Sequence, residues 1–149
     1  MLVPGGLGFI GSHTILEILE HTSASVVIVD DLSNCFGDVL DRIKSLLDAK
    51  IGSEEVARRL RFHQGSILDL QFLDQLFQEY RAKGEPIDGI MHFAAKKAIG
   101  ESFQLPMTYY ENNVVGSMNL FKLMERYTEC SNFIFSSTAG VYGDKDDCS

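Results

Sequence analysis

Cysteine is scarce, and the three that occur, Cys35, Cys130 and Cys148, share no paired spacing. An odd count without a repeated interval speaks against a disulfide frame and against zinc ligands. It reads as free thiols in a reducing, cytoplasmic setting. Long apolar runs are missing as well. None approaches the length that spans a bilayer, and no basic-then-apolar segment opens the chain. Positive charge is short: 13 Lys and Arg face 21 Asp and Glu, the net charge is −8, and the basic residues are scattered. Such a surface repels phosphate backbones and anionic headgroups, so neither nucleic acid nor a membrane is expected as a partner. Repeats and low-complexity tracts are absent, and no metal site is expected.

What is there amounts to one domain, 149 residues with 45% hydrophobic content, enough for a substantial core. Five short apolar runs stand out: Leu2–Val3, Val26–Val29, Leu60–His63, Ile87–Phe93 and Phe133–Phe135. Apolar residues keep helical spacing between them. Ile15, Leu16, Ile18 and Leu19 form the first set; Val39, Leu40, Ile43, Leu46 and Leu47 the second. Leu70, Leu73, Leu76, Phe77 and Tyr80 follow, then Met107, Tyr110, Val114, Met118 and Phe121. This alternation predicts βαβ units and a parallel sheet, and the near-continuous runs fit strands covered on both faces. Residues 33–55 read as a helical excursion between the second and third strands. Met107 to Tyr127 reads as one long helix.

The stretch "GGLGFIGSH" follows the first run and opens the first helix, with Gly5, Gly8 and Gly11 at G-x-x-G-x-x-G spacing. Such a loop lets backbone N–H groups close on a pyrophosphate at a helix N-terminus, where the dipole favours negative charge. Gly5 is read as the tight turn. Gly8 is the position where a Cβ would block the phosphate, and Gly11 the place where the helix closes on the sheet. Asp30 ends the second run, nineteen residues after Gly11. A carboxylate there suits the hydroxyls of an adenosine ribose and repels a 2′-phosphate, so the expected cofactor is NAD rather than NADP. The last run, in "FIFSSTAGVYGD", delivers three hydroxyls in a row, Ser136, Ser137 and Thr138. They fall at the carboxyl edge, where open α/β sheets bind ligands.

Five stretches, "GGLGFIGSHT", "DDLSN", "HFAAKKAIGES", "YYENNVVGS" and "FIFSSTAGVYGD", occur in this order. Together they resemble the extended short-chain dehydrogenase/reductases, and within them the UDP-glucose 4-epimerases. The resemblance covers the whole chain and corresponds to the cofactor-binding half of such an enzyme. It implies a Rossmann-type doubly wound parallel sheet with helices on both faces over residues 1–149. That unit would be incomplete at both ends, cut before the last strands and without the substrate domain. By resemblance, Gly5, Gly8, Phe9, Ile10 and Gly11 match the pyrophosphate loop. Asp30, Asp31, Leu32, Ser33, Asn34 and Cys35 match the ribose and adenine side, and Ser66 and Ile67 a pair that contacts adenine. Phe93, Ala94, Ala95, Lys96 and Lys97 match the segment under the cofactor, with Lys97 reaching the nicotinamide-side ribose. Asn112 matches a helix Asn near the cofactor. Thr138 matches the catalytic Ser/Thr that hydrogen-bonds the sugar's 4-oxygen. The resemblance also implies a UDP-sugar substrate and a homodimer, formed in the complete enzyme through the outer face of the Met107–Tyr127 helix.

Three departures stand beside it. Pro4 replaces a Thr and removes a ladder donor from a strand expected to be central. Ser66 replaces an Asp that accepts from the adenine amino group, and a hydroxyl accepts without charge assistance. The third departure concerns the family's base, a Tyr in Tyr-x-x-x-Lys. Four residues after Tyr80, Tyr109, Tyr110, Tyr127 and Tyr142 stand Gly84, Asn113, Val114, Ser131 and Asp146. The chain therefore reads as an epimerase fragment, or a truncated product, that binds NAD without turnover. A 4,6-dehydratase needs an acid and a base for C6 and C5, in that family an Asp-Glu pair after the Thr. Here Ala139 and Gly140 carry no titratable group. Uronate and N-acetylhexosamine 4-epimerases stay open, as does a non-catalytic dinucleotide-binding module. His13, His63 and His92 read as core histidines. Ser136 and Ser137 read as partners for strand-end backbone, and Tyr142 as shaping its loop. Asn112 sits mid-helix, where Asn has poor propensity, and implies a polar partner.

Overall fold

Five strands, β1 (Leu2–Pro4), β2 (Val26–Asp30), β3 (Leu60–Gln64), β4 (Gly89–His92) and β5 (Asn132–Phe135), pair in parallel in the order β3-β2-β1-β4-β5. The computed structural model describes residues 1–138 and residue 141. Around the sheet lie α1 (Phe9–His21), α2 (Val39–Ile51), α3 (Ser53–Arg59), α4 (Leu70–Ala82), α5 (Ile99–Gln104), α6 (Pro106–Tyr110) and α7 (Gly116–Arg126). Ala139, Gly140, Tyr142 and Cys148 lie outside the described residues.

Successive strand residues point to opposite faces, so β1, β2 and β4 each supply both cores. Leu2, Val27, Val29 and Ile90 join α4 and α7 through Leu73, Phe77, Leu120 and Leu123. Val3, Val26 and Ile28 turn the other way, onto Ile15 and Leu19 of α1 and Ile43 and Leu47 of α2. Helices thus cover both faces, as the alternation predicts. Gly52, at φ 87°, separates α2 from α3 inside the expected helical excursion. Arg59, 4% exposed, closes α3 back onto α1. Its guanidinium donates to the carbonyls of Leu19, Thr22 and Ala24, capping the C-terminus of α1.

The elements and their burial depart from the sequence reading in several places. The fourth apolar run is longer than its strand: Ile87 is buried but precedes β4, and Phe93 follows it. β5 is not covered on both faces, since Ile134 and Phe135 are about half exposed. The helix expected from Met107 to Tyr127 begins at Pro106 and contains a π-helical turn, Glu111–Val115, between α6 and α7. There Gly116 N–H donates to Glu111 O, five residues back. His13 is exposed on α1 rather than in the core.

Pro4 ends the central strand. Its carbonyl accepts from Phe93 N–H at 2.9 Å, yet β1 and β4 register at a single pair, Leu2 with Ile90. In a parallel ladder the reciprocal bond would run from residue 4 to the Met91 carbonyl, and proline has no N–H to make it. Among the described residues no helix is long and apolar enough to cross a membrane, and no group of His, Cys, Asp and Glu is placed to hold a metal ion.

Candidate functional site

From β1 the chain winds outward to β2 and β3, then returns to β4 on the other side of β1. The strand order reverses between β1 and β4, and the loops leaving their carboxyl ends stand where open α/β sheets usually bind ligands. One loop is the glycine stretch; the other is residues 93–98.

The two loops meet backbone to backbone. Gly5 has φ 75° and donates from its N–H to Val29 O at 2.8 Å. A Cβ on Gly5 would lie 2.4 Å from Ala94 N and 2.7 Å from the Phe93 carbonyl carbon. Gly6 is wedged between helix and sheet, where a Cβ would meet Ile15 and Ile28 at 2.9 Å. Gly11 closes α1 onto the loop rather than onto the sheet, since its Cβ would meet Gly5 O at 2.5 Å. Gly8 differs. It is the N-cap of α1, and a Cβ there would come near only Gly5 O, at 3.3 Å. The space in front of the helix N-terminus is open, and the first-turn N–H groups face it without intrahelical partners. Phe9 and Ile10, in the same turn, are 77% and 58% exposed.

Asp30, at the end of β2, is half-buried. Its Oδ2 accepts from Leu7 N–H at 3.0 Å and its Oδ1 from Leu32 N–H at 3.0 Å. Leu32 has φ 62°, so the carboxylate holds a strained turn as well as the glycine loop. Asp31, Ser33 and Asn34 are exposed beyond it, with Asp31 Oδ1 accepting from Ser33 N–H. Burial, with Asp30 and Asp31 adding to it, pushes the Cys35 thiol up.

Ser66 and Ile67 follow β3. Ser66 Oγ accepts from Leu68 N–H at 3.2 Å, and Ile67 is buried against Gly116. Asn119 of α7, also buried, donates to the carbonyls of Ile67 and Leu68 and pins this turn. Sequence reasoning missed Asn119; a mid-helix Asn on the apolar face of α7 was the available signal.

In the loop after β4, Lys97 and Ala95 are exposed, while Phe93, Ala94 and Lys96 are half-buried. Asn113 of the π turn accepts from Lys96 N–H at 2.8 Å and donates to Lys96 O at 2.9 Å. The neighbouring Asn112 donates to Asn113 Oδ1 at 2.9 Å, which is the polar partner its position implies. Ser117 Oγ donates to Asn113 O at 2.7 Å and lies 2.9 Å from His92 Nε2. His92 is 2% exposed, its Nδ1 has no partner among the described residues, and burial pushes its pKa down to about 4. It is a neutral core histidine, as the sequence suggests, whereas half-buried His63 pairs with Tyr80 OH at 3.1 Å.

Ser136, Ser137 and Thr138 follow β5 and are exposed. The Ser136 backbone N–H, rather than its hydroxyl, pairs with His92 O at 3.1 Å. Both serine side chains are exposed, and among the described residues neither hydroxyl bonds the strand-end backbone that the sequence reading assigns to it. Thr138 O accepts from Val141 N–H at 3.3 Å.

A parallel sheet wound on both faces, with a glycine loop and an acid-ended strand at its switch point, defines a Rossmann-type α/β domain. The profile of the family described as GDP-mannose 4,6 dehydratase matches residues 2–149, and the chain belongs to that family. UDP-glucose 4-epimerase 2 of Arabidopsis thaliana is 42% identical over 143 residues, 96% of this chain and 37% of that protein. The UDP-glucose 4-epimerase of Pasteurella multocida is 40% identical, over 97% of this chain and 38% of its own length. Among solved structures, the UDP-glucose 4-epimerase of Stenotrophomonas maltophila with bound NAD and formylated UDP-arabinopyranose superposes with a TM-score of 0.80 at 37% identity. That match covers 99% of this chain and 39% of the other. The Bifidobacterium longum enzyme in complex with NAD+ and UDP gives 0.78 at 33% identity, over 95% and 38%. The chain thus spans under two fifths of these relatives.

Proposed function

We propose that this chain binds NAD+ and forms the cofactor-binding part of a nucleotide-sugar 4-epimerase that interconverts UDP-glucose and UDP-galactose. The open cradle at Gly8 carries the reading. It fronts a helix N-terminus, leaves open the space that a Cβ on Gly8 would enter, and has Asp30 close by. The residues present fit a dinucleotide. Gly5, Gly8, Phe9, Ile10 and Gly11 would enclose the pyrophosphate, and Asp30 would take the adenosine ribose. Asp31 to Cys35 and Ser66 and Ile67 would border the adenine. Phe93 to Lys97 would pass under the nicotinamide half, with Lys97 reaching its ribose and Asn112 nearby. Bound NAD+ supplies a hydride acceptor for the sugar's C4 and the donor that returns it.

Thr138 would hold the 4-oxygen, since a hydroxyl serves an alcohol as acceptor and a ketone as donor. A base must also take the 4-OH proton. No Tyr of this chain begins Tyr-x-x-x-Lys. Base and sugar-binding part are therefore assigned to sequence beyond this chain, in keeping with relatives more than twice its length. Ala139 and Gly140 offer no acid-base pair for dehydration, which favours epimerisation within a family named for a dehydratase. The exposed stripe Met107, Tyr110, Val114, Met118 and Phe121 supports homodimerisation of the whole protein, and the free thiols of Cys35 and Cys130 support a cytoplasmic setting.

Calorimetric titration with NAD+ and NADP+ tests the reading. NAD+ should bind and NADP+ should bind more weakly. No binding, or a preference for NADP+, would overturn it. UDP-galactose should not be turned over by this chain alone.

A further inference from the structure

Beyond β4 the backbone runs from His92 to Lys96 beside the glycine loop. Both ends of this span are anchored to one turn of the helical segment. At the start, His92 Nε2 lies 2.9 Å from Ser117 Oγ; at the end, Asn113 takes both the N–H and the C=O of Lys96. The two anchors are themselves joined, since Ser117 Oγ donates to Asn113 O at 2.7 Å. A hydroxyl has one proton, so the remaining bond must run from His92 Nε2–H into Ser117 Oγ. That fixes the tautomer, with the proton on Nε2 and Nδ1 bare.

The middle of the span presses on the glycine loop. Ala94 N occupies the place where a Cβ of Gly5 would begin, at 2.4 Å. Ser136 N–H and Phe93 N–H hold the sheet end of the span, the first by donating to His92 O and the second by donating to Pro4 O. A shift of the span would therefore carry into Gly5 and the cradle beyond it, because close-packed backbone has no slack to absorb it.

We propose that His92 and Ser117 are positioning residues for dinucleotide binding: the proton donated by His92 Nε2, with Ser117 bonded on to Asn113, holds the Phe93–Ala95 span against Gly5. This rests on the reading that the glycine loop holds a dinucleotide. His92 acts only through the backbone it fixes.

Titration of NAD+ into the full chain tests it. His92→Leu and Ser117→Ala should each weaken binding roughly fivefold to tenfold, the scale of one lost buried hydrogen bond. The double variant should be no weaker than the worse single one, because both break one link. His92→Gln, which keeps a donor at Nε2, and Ser117→Thr should regain most of the affinity. Two readouts need no ligand. Nitrogen NMR near neutral pH should show His92 protonated at Nε2, and Lys96 amide exchange should quicken in Ser117→Ala. Unmoved affinity in both single variants, Gln no better than Leu, an Nδ1-protonated ring, or Lys96 exchange equal to wild type would each overturn the proposal. Should His92→Leu fail to fold, Ser117→Ala against Ser117→Thr makes the same comparison. A wild-type chain that binds no NAD+ would remove the proposed function instead, and the tautomer and Lys96 exchange would still decide the anchoring.

Discussion

Leu7 N–H donates to Asp30 Oδ2 at 3.0 Å, so the carboxylate that ends β2 also ties down the glycine loop after β1. Its other oxygen holds Leu32 in its left-handed turn. Asp30→Ala should therefore lower stability by about 1–3 kcal/mol in urea unfolding, the scale of orphaned half-buried donors. It should also weaken NAD+ and narrow its margin over NADP+. Asp30→Asn keeps one acceptor oxygen and should lose less stability. An Ala variant as stable as wild type would show that loop and strand are not coupled through this side chain.

Gly8 and Gly11 should respond differently to a side chain. The Cβ of Gly8→Val meets only one carbonyl oxygen of the protein, so circular dichroism and melting should stay close to wild type while NAD+ binding is lost. Gly11→Val drives its Cβ into Gly5 O and Gly6, and should cost roughly 2 kcal/mol or more by overpacking. Retained NAD+ binding in Gly8→Val would mean that nothing sits in the cradle.

Arg59 is a structural cap and should behave as one. Replacing it by Leu leaves the carbonyls of Leu19, Thr22 and Ala24 without their donors at the negative end of α1. A loss of roughly 3 kcal/mol is expected in denaturant titration, with Lys restoring part of it. A loss below a few tenths of that figure would mean that water replaces the guanidinium without penalty.

Burial holds His92 down at about 4, against 6.5 in an exposed chain. The unfolded chain therefore takes up a proton that the native state refuses. The stability this group confers is complete above pH 6.5 and falls as pH drops toward about 4. Linkage puts the loss at about 2 kcal/mol by pH 5 and about 3 kcal/mol once both states are protonated. His63, also lowered by burial, adds in the same direction. Urea unfolding of wild type and His92→Gln near pH 7.5 and pH 5 isolates the first term. Parallel curves for the two proteins would contradict it.

Thr138 is exposed at the carboxyl edge beside β4 and β5. In a protein that joins this chain to the missing base, Thr138→Ser should keep most epimerase activity. Thr138→Val should lose on the order of a hundredfold, the scale of a lost proton-handling contact. NAD+ affinity should hardly move. Normal turnover in Thr138→Val, with Ser136→Ala or Ser137→Ala inactive, would move the role to another hydroxyl.

The parallel sheet and its helices could be read from the sequence because short Val/Ile/Phe runs alternate with 3.6-residue periodicity. The same periodicity could not reveal the π turn at Glu111–Val115, since one extra residue in a turn shifts the apolar stripe only slightly. Asn112 and Asn113, poor helix formers side by side, were its trace. Ile87 extended the fourth run because it is buried, although burial there comes from packing outside the strand. Asp30 and Gly8 stood out by spacing. Asn119, Ser117 and Arg59 did not, because each satisfies backbone groups 35 or more residues away, or a side chain on another element, and no local pattern marks such a partner.

A proline at the end of the central strand leaves one seam of the sheet thin in ladder bonds. β2 meets β3 over five residue pairs and β1 over three, and β4 meets β5 over four, but β1 and β4 share one. Partial opening should begin along that boundary, at a free energy below that of global unfolding. The loops that leave the carboxyl ends of β1 and β4 meet over the same boundary. A molecule lodged there would act as a clasp across the thinnest seam of the sheet, making its two sides open together.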